Sequence, residues 1–244
     1  MPTPALLIAC LLSIIPVSGY AQTDFYALQS ILQRYTEAYG GNRDVDALTS
    51  LSVEGTIEEG GQSFDFLMRK KRPYSFRYRL SSGANNVISG YNGSEAWMRF
   101  ETNGEISIKS LDSKQRAILR KQARFDSPLF RHLEKSENVV SLIERTILDK
   151  RGVNVIEVVE SGRDTSHYYL DAETSHVLRR DQLDIKNGKI TFQTFYSDYR
   201  EVEGFPFAHE VETRVDGQTV SLAKVHSINV NPGLLSFYFE KPSR

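Results

Sequence analysis

Residues 62–80 read QSFDFLMRKKRPYSFRYRL, and their alternation decides the fold class. Phe64, Phe66 and Met68 alternate with Ser63, Asp65 and Arg69; then Tyr74, Phe76, Tyr78 and Leu80 alternate with Ser75, Arg77 and Arg79. A period of two sends neighbouring side chains to opposite faces of a pleated strand, so each strand has a greasy face and a wet one. Consecutive bases from Arg69 to Arg72 stop at Pro73. The stretch continues through NNVISGYNG (85–93) and SEAWMRF (94–100), where Asn92-Gly93 makes the turn before Trp97, the single tryptophan. An aromatic sheet face rimmed by positive charge predicts a pocket for something apolar, not a catalytic site.

Upstream, Asp24 is placed to cap a helix whose stripe is Phe25, Leu28, Ile31, Leu32, Tyr35 and Tyr39, and Gly40-Gly41 ends it. One apolar stripe has to be buried, so this helix is expected to lie on a sheet. A strand over Leu48–Glu58 leads through Gly60-Gly61 into the aromatic stretch. Downstream, Asn103-Gly104 turns into a strand over Ile106–Leu111, and Asp112 with Gln115 forms a capping box for a helix over Lys114–Arg124. Ser127-Pro128 starts a second short helix through Leu133. Lys114, Arg116, Arg120, Lys121, Arg124 and Arg131 make this helical region basic, which is either a solvated face or a movable lid over the sheet.

From Val139 onward the pattern is strand after strand. The segments are Val139–Leu148, Val153–Glu160, Thr165–Asp171, His176–Ile185, Ile190–Val202, Phe207–Val215 and Val220–Val230. Gly152 separates the first two, and Asn187-Gly188 and Asp216-Gly217 read as type I′ hairpin turns. Short connections force antiparallel neighbours, so the fold class is mainly β (α+β), with about eleven strands in one curved antiparallel sheet or open barrel.

With 244 residues, 40% hydrophobic and 25% charged, the chain is an ordinary globular one, and a net charge of -1 gives no reason to expect nucleic acid as a partner. Residues 1–21 read as a cleaved signal peptide: Ala5–Val17 is apolar and Gly19-Tyr20-Ala21 offers a small-x-small site. Residues 22–244 are then one exported domain. The only cysteine, Cys10, falls inside the leader, so no disulfide is expected in the mature chain.

Residues with chemical potential form no constellation. His132, His167, His176, His209 and His226 show no metal-ligand spacing. There is no G-x-S-x-G elbow and no phosphate-binding glycine loop, and Asp181 and Asp184 read as solvated. Neither metal, cofactor nor catalysis is expected.

Taken in order, Lys71-Arg72-Pro73, Arg77, Gly90-Tyr91-Asn92-Gly93 and Ala96-Trp97 resemble the LolA/LolB-type periplasmic lipoprotein carriers, especially the outer membrane lipoprotein-sorting relatives of LolA. So do Ala38-Tyr39-Gly40-Gly41, Phe125-Asp126-Ser127-Pro128-Leu129, the run Tyr168–Thr174, the run Tyr196–Glu201 and Val230-Asn231-Pro232. The resemblance covers nearly all of residues 22–244. It implies a strongly curved half-barrel closed by helices around an apolar cavity, in a monomeric periplasmic protein of a Gram-negative bacterium. That protein would shield acyl chains of lipoproteins or lipids between membrane-associated donor and acceptor proteins. The expected lining residues are Phe64, Phe66, Met68, Phe76, Tyr78 and Trp97, with Arg72 tethering the lid. An RseB-like sensor of the same fold, which binds a signalling partner, is the alternative.

Overall fold

The structure is a computed structural model that describes residues 18–40, 47–130, 138–160 and 164–243. Thirteen strands form one open antiparallel sheet among the described residues. They are β1 Ser50–Glu59, β2 Gln62–Lys71, β3 Ser75–Ser82, β4 Asn85–Tyr91, β5 Ala96–Thr102, β6 Glu105–Ser110, β7 Val139–Leu148, β8 Arg151–Val159, β9 Thr165–Asp171, β10 Val177–Leu183, β11 Ile190–Val202, β12 Phe205–Val215 and β13 Gln218–Val230. The spatial order is β6-β5-β4-β3-β2-β1-β13-β12-β11-β10-β9-β8-β7. The chain therefore walks outward from β1 to the edge at β6 and crosses to the far edge at β7. It then walks back until β13 pairs with β1, Leu51 opposite Val230. The sheet is curved and unclosed.

The thirteen strands correspond to the segments read from the alternation, which the expected total of about eleven undercounts. Gly60-Gly61, Asn103-Gly104, Glu203-Gly204 and Asp216-Gly217 all have both residues at positive φ, the type I′ condition that matches the twist of the flanking strands. Two turn readings change. The β7–β8 turn is Asp149-Lys150, at φ 47° and 68°, and Gly152 lies inside β8. Asn187-Gly188 is not a type I′ pair, since only Gly188 has positive φ. Instead the Asp184 carboxylate accepts from the Lys186 and Asn187 amides and holds a longer loop.

Two helices cover one face of the sheet. α1, Ser18–Gly40, buries Leu28, Ile31, Leu32 and Tyr35 against Ile156, Val158, Tyr168, Leu170 and Val177 of β8–β10. Its predicted stripe is right except at the ends: Phe25 is exposed, Tyr39 is only partly buried, and Asp24 lies inside the helix rather than capping it. α2, Ser113–Ala123, begins with the expected Asp112–Gln115 capping box. It buries only Leu119 and Ala123, against Phe76, Tyr91 and Ala96 of β3–β5. The predicted second short helix is a turn as far as Phe130; residues 131–133 lie outside those described, as does Arg131 of the basic set. No helix of the described residues is long and apolar enough to cross a membrane.

The sheet centre between the helices carries its own cluster, Leu51, Val53, Phe66, Phe205 and Val230. Gly55 makes it possible. A Cβ there would sit 2.1 Å from the Lys224 carbonyl oxygen and 2.8 Å from the Phe66 ring, so only glycine lets the ring lie across β1 at the register shift between Glu54 and Gly55.

A cavity between two helical covers

Between α1 and α2 the inner face of the sheet is left open. Two adjoining hollows of about 490 and 240 Å³ occupy this gap and share Tyr35, Tyr39, Lys70, Phe125, Pro206 and Phe207 in their walls. Both fall near or within the range of small-molecule and lipid pockets, about 300–1,000 Å³. The smaller hollow adds Leu48, Leu51, Met68, Phe130 and Phe205, and its wall is predominantly apolar. The larger one reaches towards β9–β11 and is lined by Tyr168, Tyr196, Tyr199, Ala208 and Arg180.

The tyrosines owe their positions to backbone irregularities. Tyr196 and Tyr199 are three residues apart on β11 yet line the same hollow, and Asp198 between them has φ 50°, which breaks the two-residue alternation. Pairing of β10 to β11 begins only at Arg179, leaving Val177 short of a strand partner on that side. Side chains fill the place. The Val177 amide donates to Tyr39 Oη (3.2 Å), Tyr39 Oη lies 3.1 Å from Tyr199 Oη, and Tyr199 Oη donates to the Val177 carbonyl oxygen (2.7 Å). This ring bolts the end of α1 to the sheet. Burial raises the pKa of Tyr35, Tyr39, Tyr196 and Tyr199 above the ordinary phenol value and pushes Tyr168 up to about 12, so these phenols stay neutral.

Lys70 is the one cation shared by both hollows. Burial lowers its pKa to about 8. Its ammonium donates to the Arg124 carbonyl oxygen (3.1 Å) and lies 5.9 Å from the centre of the Phe76 ring.

Charged contacts hold the end of α2 across the opening. Arg72 Nη1 donates to Asp126 Oδ2 (2.7 Å), its other terminal nitrogen donates to Oδ1, and Nε donates to the Leu48 carbonyl oxygen. The guanidinium also lies 4.7 Å from the centre of the Phe125 ring. On the far side Arg124 pairs with Glu160 (2.6 Å) and Lys121 with Asp164 (2.9 Å). The segment after α2 is thus tied to β2 on one side and to the β8–β9 connection on the other.

The residues expected to line the cavity separate in the structure. Met68 lines the smaller hollow and Arg72 stands at its rim. Phe66 and Tyr78 stack with centres 5.9 Å apart, and Phe76 and Tyr78 at 6.4 Å; they pack in the clusters at the sheet centre and beneath α2 and stand in the wall of neither hollow. Phe64 is partly buried further along β2, opposite Ile57. Trp97 does not join them. It points to the other face, where it is fully buried, packs on Gly90 and donates from Nε1 to the Phe239 carbonyl oxygen (3.0 Å). That turn, Ser236–Phe239, covers the outer face of β3 and β5. Asp181 is also placed differently from expectation: it is buried and bound by the guanidinium of Arg179, two residues before it on the same strand, β10.

Sequence reasoning missed Tyr35 and Tyr39 as lining residues because it counted them only as helix stripe. Lys70, Phe125, Tyr168, Tyr196, Tyr199 and Phe207 were likewise not singled out as cavity residues. A signal was present: Phe125, Tyr168, Tyr196 and Tyr199 all lie in the motifs that carry the family resemblance.

No family model matches the sequence, and a search of curated proteins finds no match. Solved structures do match. A DUF1329 family protein from Desulfovibrio piger superposes with a TM-score of 0.62 at 12% identity, covering 89% of this chain and 97% of that one. A LolA superfamily protein from Nitrosomonas europaea gives 0.58 at 11%, covering 88% and 97%. A protein domain from Vibrio parahaemolyticus described as outer membrane lipoprotein-sorting gives 0.59 at 11%, covering 87% and 95%. At these identities the likeness is one of fold, and the fold is the LolA type.

Proposed function

We propose that this chain is a periplasmic carrier that shelters the acyl chains of lipoproteins or lipids in the cavity between α1 and α2, handing them towards the outer membrane. The observation behind this reading is the cavity itself: a predominantly apolar hollow over the inner face of a LolA-type sheet, in the gap between α1 and α2. Moving an acyl chain into water costs about 0.8 kcal/mol per methylene, roughly 12 kcal/mol for sixteen carbons. A carrier has to offset most of that cost and still release its cargo. Residues 1–21 serve as the export signal in this reading, and their removal takes only the first turn of α1 and none of its buried stripe. Met68 lines the cavity, Phe66, Phe76 and Tyr78 support the sheet face beside it, and Arg72 tethers the lid.

The test is uptake of a fluorescent fatty-acyl probe by the purified protein. The wild type is expected to bind the probe, and Ala208→Trp, which fills the larger hollow, to bind it at least tenfold more weakly with unchanged circular dichroism. Trp97 emission is expected to stay constant, since that ring faces away. No uptake by the wild type, or equal uptake by the filled variant, would remove the carrier reading.

A further inference from the structure

The outer face of the sheet carries a second site, independent of the acyl cavity. Arg69 on β2 and Arg77 on β3 are directly opposed, and Arg79 and Arg99 lie two strand positions or two strands away on the same face. All four line one hollow of about 170 Å³ together with Asn86 and Glu101. Like charges directly opposite on a sheet destabilise it. Here four guanidinium groups meet a single carboxylate, Glu101, which pairs with Arg99. Burial first, and then Arg69, Arg99 and Arg79, pull the Arg77 guanidinium below its usual pKa, which registers the same repulsion. Nε of Arg69 and Nε of Arg99 are buried without a hydrogen-bond partner, although buried donors are nearly always satisfied. Neighbouring contacts fix the cluster from behind: Arg77 donates to the Tyr238 carbonyl oxygen (2.8 Å), and Arg69 lies over the Tyr238 ring.

We infer that this cluster is an oxyanion site of the phosphate class, taking an inorganic phosphate ion or the phosphate of a lipid headgroup. Guanidinium forks match the tetrahedral oxygens of phosphate, and a bound dianion satisfies orphaned donors while cancelling the repulsion. The hollow is too small for a drug-sized organic ligand, which needs about 300 Å³ or more. Four bases against one acid exclude a cation.

Thermal unfolding of the purified protein in inorganic phosphate, against sodium chloride at equal ionic strength, tests this directly. The wild type should show a midpoint that rises saturably with phosphate. Arg77→Gln and, separately, Arg79→Gln should each weaken the apparent phosphate affinity about tenfold. Arg79 is exposed, so its variant keeps the test open if Arg77→Gln folds poorly. Without phosphate, Arg79→Gln should be at least as stable as the wild type, because a repulsive charge has gone. Flotation with phosphatidylcholine vesicles containing phosphatidic acid separates the sources. Binding that Arg79→Gln weakens assigns the headgroup, and no binding assigns the free ion. A wild type whose midpoint ignores phosphate, or an equal rise in both variants, overturns the proposal. Acyl-probe uptake is unaffected in either case, so the two readings fail separately.

Discussion

The two helical covers lie on one face of one sheet, and they are attached by different physics. α1 sinks four large side chains, Leu28, Ile31, Leu32 and Tyr35, into β8–β10 and is bolted by the Tyr39–Tyr199–Val177 ring. α2 itself buries only Leu119 and Ala123; ion pairs Arg72–Asp126, Arg124–Glu160 and Lys121–Asp164 flank its end, and beyond them Leu129 sinks into the α1 cluster. Burying a Leu or Ile side chain is worth about 1.5–3 kcal/mol, whereas a solvent-accessible ion pair is worth about 0–1 and weakens with salt. Helix α1 is therefore anchored by apolar burial along its length, and α2 much less so.

The sharpest way to break this contrast is at α1. Leu32→Ala should lower stability by about 2–5 kcal/mol in denaturant titration. A loss below about 1 kcal/mol would mean that α1 is as loosely held as α2.

Lys70, under the α2 side of the cavity, gives an effect of similar size and opposite sign. The unfolded chain keeps this proton up to the ordinary lysine value near 10.5, while the native protein keeps it only to about 8. Native Lys70 thus binds fewer protons between those values, so stability rises as pH climbs from about 8 towards 10.5 and this contribution is least below 8. Lys70→Met should stabilise the protein at pH 7 by about 2–3 kcal/mol and abolish the alkaline rise. Thermal midpoints between pH 7 and 10 read both, and a parallel pair of curves would refute the assignment.

The smallest stability change and the most informative kinetic one belong to Arg72. Arg72→Leu should cost about 1 kcal/mol or less. It should also speed release of a bound acyl probe in stopped-flow displacement, an acceleration that high salt partly reproduces in the wild type. Unchanged release would take Arg72 out of the lid.

Much of the scaffold was legible beforehand, for identifiable reasons. Strand segments and most turns follow from two-residue alternation and from residues able to adopt positive φ, such as Asp216-Gly217. The capping box of α2 is a local device that needs only Asp112 and Gln115, and it formed as read. Asn187-Gly188 went otherwise because Asp184 offered a competing acceptor for the loop amides. The cavity was less legible. Met68 in the wall follows from strand parity, but Tyr196 and Tyr199 share a wall only because Asp198 breaks that parity.

By itself, then, the sequence determined the local matters: period, turn type, caps, and the division of residues 62–80 into an aromatic side and a basic side. Local sterics and hydrogen bonds settle these within a few residues. Only the tertiary structure decided that the basic side is not the rim of the aromatic pocket but a separate cluster on the outer face, with Trp97 beneath the C-terminal turn. It also decided that Lys70 and Arg72 of that basic run line the cavity, while Arg69 joins the outer cluster. Which elements cover which face depends on contacts between residues far apart in the chain, such as Trp97 with Phe239 or Arg72 with Asp126, and alternation along one strand carries no information about them.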